Sequence, residues 1–274
     1  RRIQDNTERT YSLDFSPAGK LLAIAGGTPG QAGEVRLVDT ETGSLERVIC
    51  STDDVVFGVA FSPDATRLAT CGADRTIRIF DVATGEEQVL IEDHADWVMD
   101  IAWNHDGTRL ASASLDKTSK LFDATTGDSL ITYPSHGEPV YDVDFNADGT
   151  QVMTSGRDKK IHVWNPADGK KIGEMAGFGL DVYGVEVDGG HVFSCSADKT
   201  ARLHKVEDRS QVRVFSGHSD WAHALSYHEP SKRLATGSYN GEIRIWNSED
   251  GATLLSFTAS PGFAPQPSTE QAAA

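Results

Sequence analysis

At 274 residues the chain is long enough for one large all-β domain with a substantial core. Its formal charge of −16, from 25 Lys+Arg against 41 Asp+Glu, comes without any Lys/Arg-rich run, which argues against nucleic-acid binding, since phosphate backbones need clustered cations; the same field would steer a basic partner. No stretch approaches the roughly 18 apolar residues of a membrane span, and no charged head with an apolar core marks a signal peptide.

The three cysteines, Cys50, Cys71 and Cys195, form no C-x-x-C pair, so neither a zinc knuckle nor a haem attachment is encoded. Cys71 and Cys195 fall at equivalent places in different repeats, too far apart for a disulfide, and are expected as small buried fillers. The compartment, cytoplasmic or periplasmic, is left open.

Along the chain, Arg1-Arg2-Ile3 aligns with the end of a fourth strand that would belong to a preceding repeat, so residues 1–10 are expected as the end of a blade or an N-terminal strand. From Tyr11 a period is evident. A pair closing a short apolar run occurs at Val38-Asp39, Phe80-Asp81, Phe122-Asp123, Trp164-Asn165, His204-Lys205 and Trp246-Asn247, in steps of 42 with one of 40. Six residues before the first member stands Asp74, Asp116, Asp158, Asp198 or Asn240. Four after the second stands Gly43, Gly85, Gly127, Gly169 or Gly251, with Arg209 the exception, and three copies open with His94, His136 or His218. A fixed period near 40 residues decides the fold class.

Each period alternates apolar and polar residues, as in Ile77-Arg78-Ile79 and Ile243-Arg244-Ile245. This predicts half-buried strands, joined by tight turns such as Asn240-Gly241 and Asp148-Gly149. Four antiparallel strands of this size cannot bury both faces alone, so copies must stack about a channel. The first copy lengthens its second inter-strand connection to Gly26-Gly27-Thr28-Pro29-Gly30-Gln31-Ala32-Gly33, expected as a flexible protruding loop; it lacks the Lys-Ser/Thr of a phosphate loop. The last 15 residues, 260–274, have linker composition.

These landmarks resemble the WD40 family over about 250 positions, on the Gly217-His218, Trp246-Asn247, Phe80-Asp81 and Phe122-Asp123 pairs and their spacing. The resemblance implies an all-β propeller over 11–259. Six repeats are visible, giving a six-bladed ring or a seven-bladed one with a blade missing from this chain. It also implies a buried His, Ser, Asp and Trp network in each blade: His94, Ser114 and Asp116 with Phe122 in place of the indole; His136, Asp158 and Trp164 with Gly156 at the Ser position; and His218, Ser238, Asn240 and Trp246. No copy is complete. A His-Ser-Asp set looks like a catalytic triad, but near-copies of one triad have no use in an enzyme, and these are expected as structural residues with no catalytic role.

In the family, partners dock on the top face through three positions per repeat. Here these hold Tyr11, Phe57, Met99, Tyr141, Tyr183 and His223 at the channel mouth; Trp97 and Trp221 two positions earlier; and Leu115, Arg157 and Tyr239 just before the turn acid. Aromatic anchors dominate binding hot spots, so Trp97, Trp221 and Tyr239 are the expected contacts of a protein or peptide held by a monomeric scaffold, with no metal or cofactor. The rival reading, an enzyme or cofactor site at the mouth, has only Tyr183 and His223 to offer. The Leu22-Ala23-Ile24-Ala25-Gly26-Gly27 run before Gly33-Glu34-Val35-Arg36-Leu37 is similar to bacterial WD40 modules of larger exported, sometimes cytochrome-bearing, proteins.

Overall fold

A computed structural model describes residues 9–134 and 136–259. Blade 1 comprises β1 (Thr10–Phe15), β2 (Leu21–Thr28), β3 (Ala32–Asp39) and β4 (Leu45–Thr52). Blade 2 follows with β5 (Val56–Phe61), β6 (Arg67–Gly72), β7 (Ile77–Asp81) and β8 (Glu87–Ile91). Blade 3 is β9 (Val98–Trp103), β10 (Arg109–Ser114), β11 (Ser119–Asp123) and β12 (Ser129–Tyr133). Blade 4 is β13 (Val140–Phe145), β14 (Val152–Gly156), β15 (Ile161–Trp164) and β16 (Lys171–Met175). Blade 5 contains β17 (Val182–Asp188), β18 (His191–Ser196), β19 (Thr200–Lys205) and β20 (Gln211–Ser216). Blade 6 contains β21 (Ala222–His228), β22 (Arg233–Ser238), β23 (Glu242–Asn247) and β24 (Thr253–Thr258). Every sheet is a four-stranded antiparallel meander, and the six are arranged as a β-propeller.

The recurring sequence landmarks are the turn chemistry of these blades. Between the second and third strands, Asp74, Asp116, Asp158, Asp198 and Asn240 each accept the backbone N–H two residues on. The residue between adopts a left-handed conformation in all five, at Arg75, Lys117, Lys159, Lys199 and Gly241. A short acceptor side chain is what such a turn requires. The second member of the closing pair caps the next turn in five blades, as with Asp81 accepting from Thr84 and Asn247 from Glu249, whereas in blade 5, where it is Lys205, Asp208 accepts the Ser210 N–H instead. Four residues after it the chain needs φ near +80°, as at Gly85 and Gly127, which glycine adopts without steric cost. Arg209 is forced to φ 63° at that place in blade 5.

The first member of the pair is buried in every blade, from Val38 through Phe80, Phe122, Trp164 and His204 to Trp246. Cores lie between blades rather than within them. One joins Ala69, Cys71, Ile77 and Ile79 of blade 2 to Val98, Ile101 and Trp103 of blade 3, and the pattern repeats up to the contact of Phe215 with Trp246 between blades 5 and 6. Cys71 and Cys195 are buried and free, and Cys50 is half-buried and free.

One expectation is overturned by the strand pairing. The Gly26–Gly33 segment is not a protruding loop: Gly26 pairs with Glu34, Gly27 with Gly33 and Thr28 with Ala32, so the hairpin is extended and only Pro29-Gly30-Gln31 turns. Its glycines serve close approach, since a Cβ on Gly33 would lie 2.1 Å from the Asp54 carbonyl oxygen, and Asp54 Oδ1 in turn accepts the Gly30 N–H at 2.8 Å. The expectations for Arg1-Arg2-Ile3 and for 260–274 lie outside the described residues.

Candidate functional site

The internal networks are built differently from the expected set. His94 Nδ1 pairs with Asp116 Oδ2 and Nε2 with Ser112 Oγ, both at 2.7 Å. Ser114 is placed not on the ring but beside the acid, its hydroxyl donating to the Trp97 carbonyl at 2.9 Å and accepting the Asp116 N–H at 3.1 Å. In blade 4 Thr154 takes the hydroxyl role on His136 Nε2 at 2.7 Å, so Gly156 leaves no vacancy. In blade 6 Thr236 Oγ1 pairs with His218 Nε2 at 2.7 Å and accepts from Trp246 Nε1 at 2.8 Å, while Glu242, not Asn240, pairs with His218 Nδ1.

Ser238 lies outside this network, its Oγ unpartnered among the described residues, and Asn240 donates to Ser219 Oγ. For the hydroxyls the cause is strand geometry: residues two apart on a strand share a face, and the earlier hydroxyl reaches the ring. A neutral imidazole protonated on Nδ1 satisfies each of these partners. Burial holds His136 and His218 below the ordinary histidine pKa.

Blade 4 adds a second histidine. Asp158 Oδ2 lies 3.2 Å from His136 Nδ1 and 2.9 Å from His162 Nε2, and Tyr133 Oη is 3.0 Å from His162 Nδ1. Burial alone would raise the Asp158 carboxyl, but the hydrogen bonds from His136 and His162 outweigh it and hold it below the carboxylate range. These three residues have ligand atoms close enough for a cation. The two rings are stacked, however, with centroids 3.9 Å apart and planes 16° from parallel. A metal must lie near the plane of each imidazole, and stacked rings direct their lone pairs side by side rather than at one point. The arrangement suits a carboxylate accepting two N–H groups.

At the top rim the three positions singled out in each repeat come together. The residue before the turn acid donates its backbone N–H to the residue two places ahead of the mouth position: Leu115 to Trp97, Arg157 to Pro139, Tyr239 to Trp221, with Ala73 to Val55 and Ala197 to Asp181, all at 2.9–3.0 Å. The rim side chains are thus held on the framework of the blades.

Tyr11, Phe57, Met99, Tyr141, Tyr183 and His223 line one central cavity of about 680 Å³. Tyr11, Phe57 and Trp97 follow one another with ring centroids 5.4 Å apart at each step. Across the mouth Tyr141 meets Tyr183 at 5.4 Å, Tyr183 meets His223 at 4.6 Å, and Trp221 meets Tyr239 at 5.7 Å. Trp97 and Trp221 are each 42% exposed and Tyr239 71%. Leu115 is half-buried and Arg157 exposed. Carboxylates sit beside these anchors, Asp96 Oδ1 accepting the Trp97 N–H at 2.8 Å, Asp220 Oδ1 the Trp221 N–H at 2.9 Å and Asp181 Oδ2 the Tyr141 hydroxyl at 3.1 Å.

Deeper in the cavity the sequence reading missed a column of acids. Asp14, Asp100, Asp142, Asp144 and Glu186 line it and cap the next blade's innermost strand, Asp142 accepting from Val185 and Asp144 from Val187, both at 2.7 Å. Burial pushes Asp144 up to about 7 and Glu186 up to about 8. Desolvation and mutual repulsion raise Asp100, which faces Asp142. The available signal was an acid interrupting otherwise apolar strands.

Comparison with known proteins agrees with this architecture. The model of the family described as WD domain, G-beta repeat matches residues 43–81, 85–123, 127–165 and 209–247. The chain is similar to apoptotic protease-activating factor 1 of Rattus norvegicus, 43% identical over 61 residues, 22% of this chain and 5% of that protein. It is similar to THO complex subunit 6 of Arabidopsis thaliana, 34% identical over 62 residues, 23% of this chain and 17% of that protein. Transducin-like enhancer protein 2 of Mus musculus is 31% identical over 62 residues, 23% of this chain and 8% of its own length. The chain thus aligns with only a small part of each of these relatives. Four repeats matching in register over more than half of its residues show that this chain belongs to the WD40 family.

Proposed function

We propose that this propeller is a protein-interaction module that holds a protein or peptide on its top rim. The observation that carries the reading is the pairing of Tyr239 with Trp221 and of Leu115 with Trp97 by backbone hydrogen bonds, which holds together backbone positions whose partly exposed aromatic rings, Trp97 and Trp221, touch Phe57 and Tyr183 of the cavity lining. Rigid aromatic anchors supply contact area at little entropic cost. Exposed apolar patches of this kind mark contact sites.

The acids beside the anchors, Asp96, Asp181 and Asp220, give the occupant a chemistry: a segment with apolar side chains to cover the rings and Lys or Arg to meet the carboxylates. The net charge of −16 favours the same partner at long range. Among the relatives, the THO complex subunit bears a name that makes it a component of an assembly, in keeping with a scaffold role.

The test is affinity capture from native extract with the wild-type chain and with Trp97→Ala/Trp221→Ala. The double variant is expected to remain folded and to lose the captured protein; unchanged capture would remove the rim from the account.

A further inference from the structure

In the turn between β22 and β23, Asn240 stands where blades 2 to 5 carry Asp74, Asp116, Asp158 and Asp198, and Gly241 follows it. An amide in place of a carboxylate changes what this turn can do chemically. An ionised carboxylate is inert towards its own backbone, whereas a carboxamide is an electrophile with ammonia as its leaving group. The nucleophile within reach is the main-chain nitrogen of the next residue, and glycine there has no side chain to crowd the approach.

The turn supplies the remaining parts. Asn240 Oδ1 accepts the Glu242 N–H at 3.0 Å. This bond folds the side chain forward over Gly241 and keeps a donor on the oxygen that gathers negative charge when Cγ is attacked. Asn240 Nδ2 donates to Ser219 Oγ at 2.7 Å, so a hydroxyl stands beside the nitrogen that must leave and can hand it a proton. Asn240 is exposed, and solvent reaches it. One bond opposes the reaction: the Gly241 N–H donates to the Ser238 carbonyl at 2.9 Å. It must break before the nitrogen can turn onto Cγ, so the rate is set by local opening of a surface turn.

The other asparagines among the described residues each lack a part. Asn165 precedes Pro166, whose nitrogen carries no proton. Asn104, Asn146 and Asn247 also accept a main-chain N–H, but His105, Ala147 and Ser248 follow them, each with a Cβ where Gly241 has none.

We propose that Asn240 is a self-modifying site, where the protein loses the side-chain amide to give aspartate and isoaspartate at the edge of the top rim. The Gly241 nitrogen bonds to Cγ while its proton passes to hydroxide. The Cγ–Nδ2 bond breaks and ammonia leaves, taking its proton from Ser219 or water, and a succinimide ring closes. Water then opens the ring. Cleavage between the Gly241 nitrogen and Cγ gives aspartate, and cleavage between that nitrogen and the main-chain carbonyl carbon gives isoaspartate. One water is consumed and one ammonia released, with no change of oxidation state.

The two products differ in their effect. Aspartate is the residue of the four preceding blades and keeps an oxygen for the Glu242 N–H. Isoaspartate lengthens the main chain by one atom between Tyr239 and Gly241, which disturbs the Tyr239 N–H that donates to the Trp221 carbonyl at 2.9 Å. The chemistry is independent of what docks at the rim.

The purified chain is held at physiological temperature, at neutral and at mildly alkaline pH, and mapped by peptide mass spectrometry with an isoaspartate assay. Asn240 should gain one mass unit at least about tenfold faster than Asn104, Asn146 or Asn247, the ratio that a barrier lower by about 1.4 kcal/mol gives. The gain should be faster at the higher pH, because the attacking nitrogen must lose its proton. Asn240→Asp, which carries the first product from the outset, should show no gain at this position and keep its Tm within about 2 °C. It should also keep the Tyr239 amide protected from hydrogen exchange, whereas the chromatographically separated isoaspartyl chain loses that protection. Equal rates at all four asparagines overturn the proposal, as does an isoaspartyl chain whose Tyr239 amide stays as protected as in Asn240→Asp. Mass and exchange are read without a partner, so failure of the rim as a docking surface leaves this result intact.

Discussion

The amide of Tyr239 donates to the carbonyl of Trp221 at 2.9 Å, and their rings lie 5.7 Å apart. The bond belongs to the backbone, so removing either side chain leaves it in place. Trp221→Ala and Tyr239→Ala should therefore each change unfolding free energy by less than about 1 kcal/mol, as surface substitutions do. Partner affinity should fall by about 2 kcal/mol or more, roughly 30-fold. Urea unfolding beside titration calorimetry with the captured partner checks both halves.

Thr236 and Thr154 hold the same place in blades 6 and 4 but have different duties. Thr236 serves both His218 and Trp246, whereas Trp164 Nε1 has no partner among the described residues and Thr154 serves His136. Replacement by valine strands two buried polar groups in the first case and one in the second, at about 1–3 kcal/mol for each. Thr236→Val should lower stability more than Thr154→Val, with Thr236→Ser restoring most of the loss. Denaturant midpoints at constant m-value decide it.

Two buried groups should give pH profiles of opposite sign. Burial, with Arg202 adding to it, lowers His204 to about 4. Unfolded histidine takes a proton near pH 6.5, so between about 6.5 and 4 the unfolded state binds more protons and stability falls as pH falls. His204→Phe should remove that loss. Glu186 keeps its proton to about 8, whereas the unfolded side chain releases it near pH 4.3; across that window stability falls as pH rises. Glu186→Gln, which can still accept the Tyr227 N–H, should gain in Tm relative to wild type from pH 5 to 8. Melting curves across pH 4–8 measure both differences.

If Asp96, Asp181 and Asp220 meet cations of the partner, the association rate should drop as salt rises from 50 to 500 mM while dissociation changes little, because exposed charges are screened beyond about a Debye length. Stopped-flow or surface-based kinetics would show it, and a salt-independent association rate would remove the basic-segment chemistry while leaving the aromatic contacts.

The blades were legible because several side chains in each repeat do one obligatory job: Asp116 and its counterparts cap a turn, Gly85 and its counterparts supply a positive φ, and Phe122 or Trp164 fill a core. What strand periodicity cannot distinguish is depth along a single face. Ser112 and Ser114 point the same way, and only the three-dimensional path of the chain shows that the former reaches His94. Glu242 displaces Asn240 at His218 because its longer side chain spans the gap from strand β23. The Gly26–Gly33 segment reads as loop by composition, yet its glycines are there to let two strands and Asp54 approach. The rim residues were legible as positions, and their backbone pairing needed the structure.

The most direct test of the docking surface is site-specific photo-crosslinking in native extract. A photoreactive side chain at Tyr239 is compared with one at Leu130, which is also exposed but lies on the fourth strand of blade 3, away from the mouth. A discrete protein adduct is expected from position 239, lost on adding Trp221→Ala, and none from position 130. The same adduct from position 130 with none from 239 would contradict it.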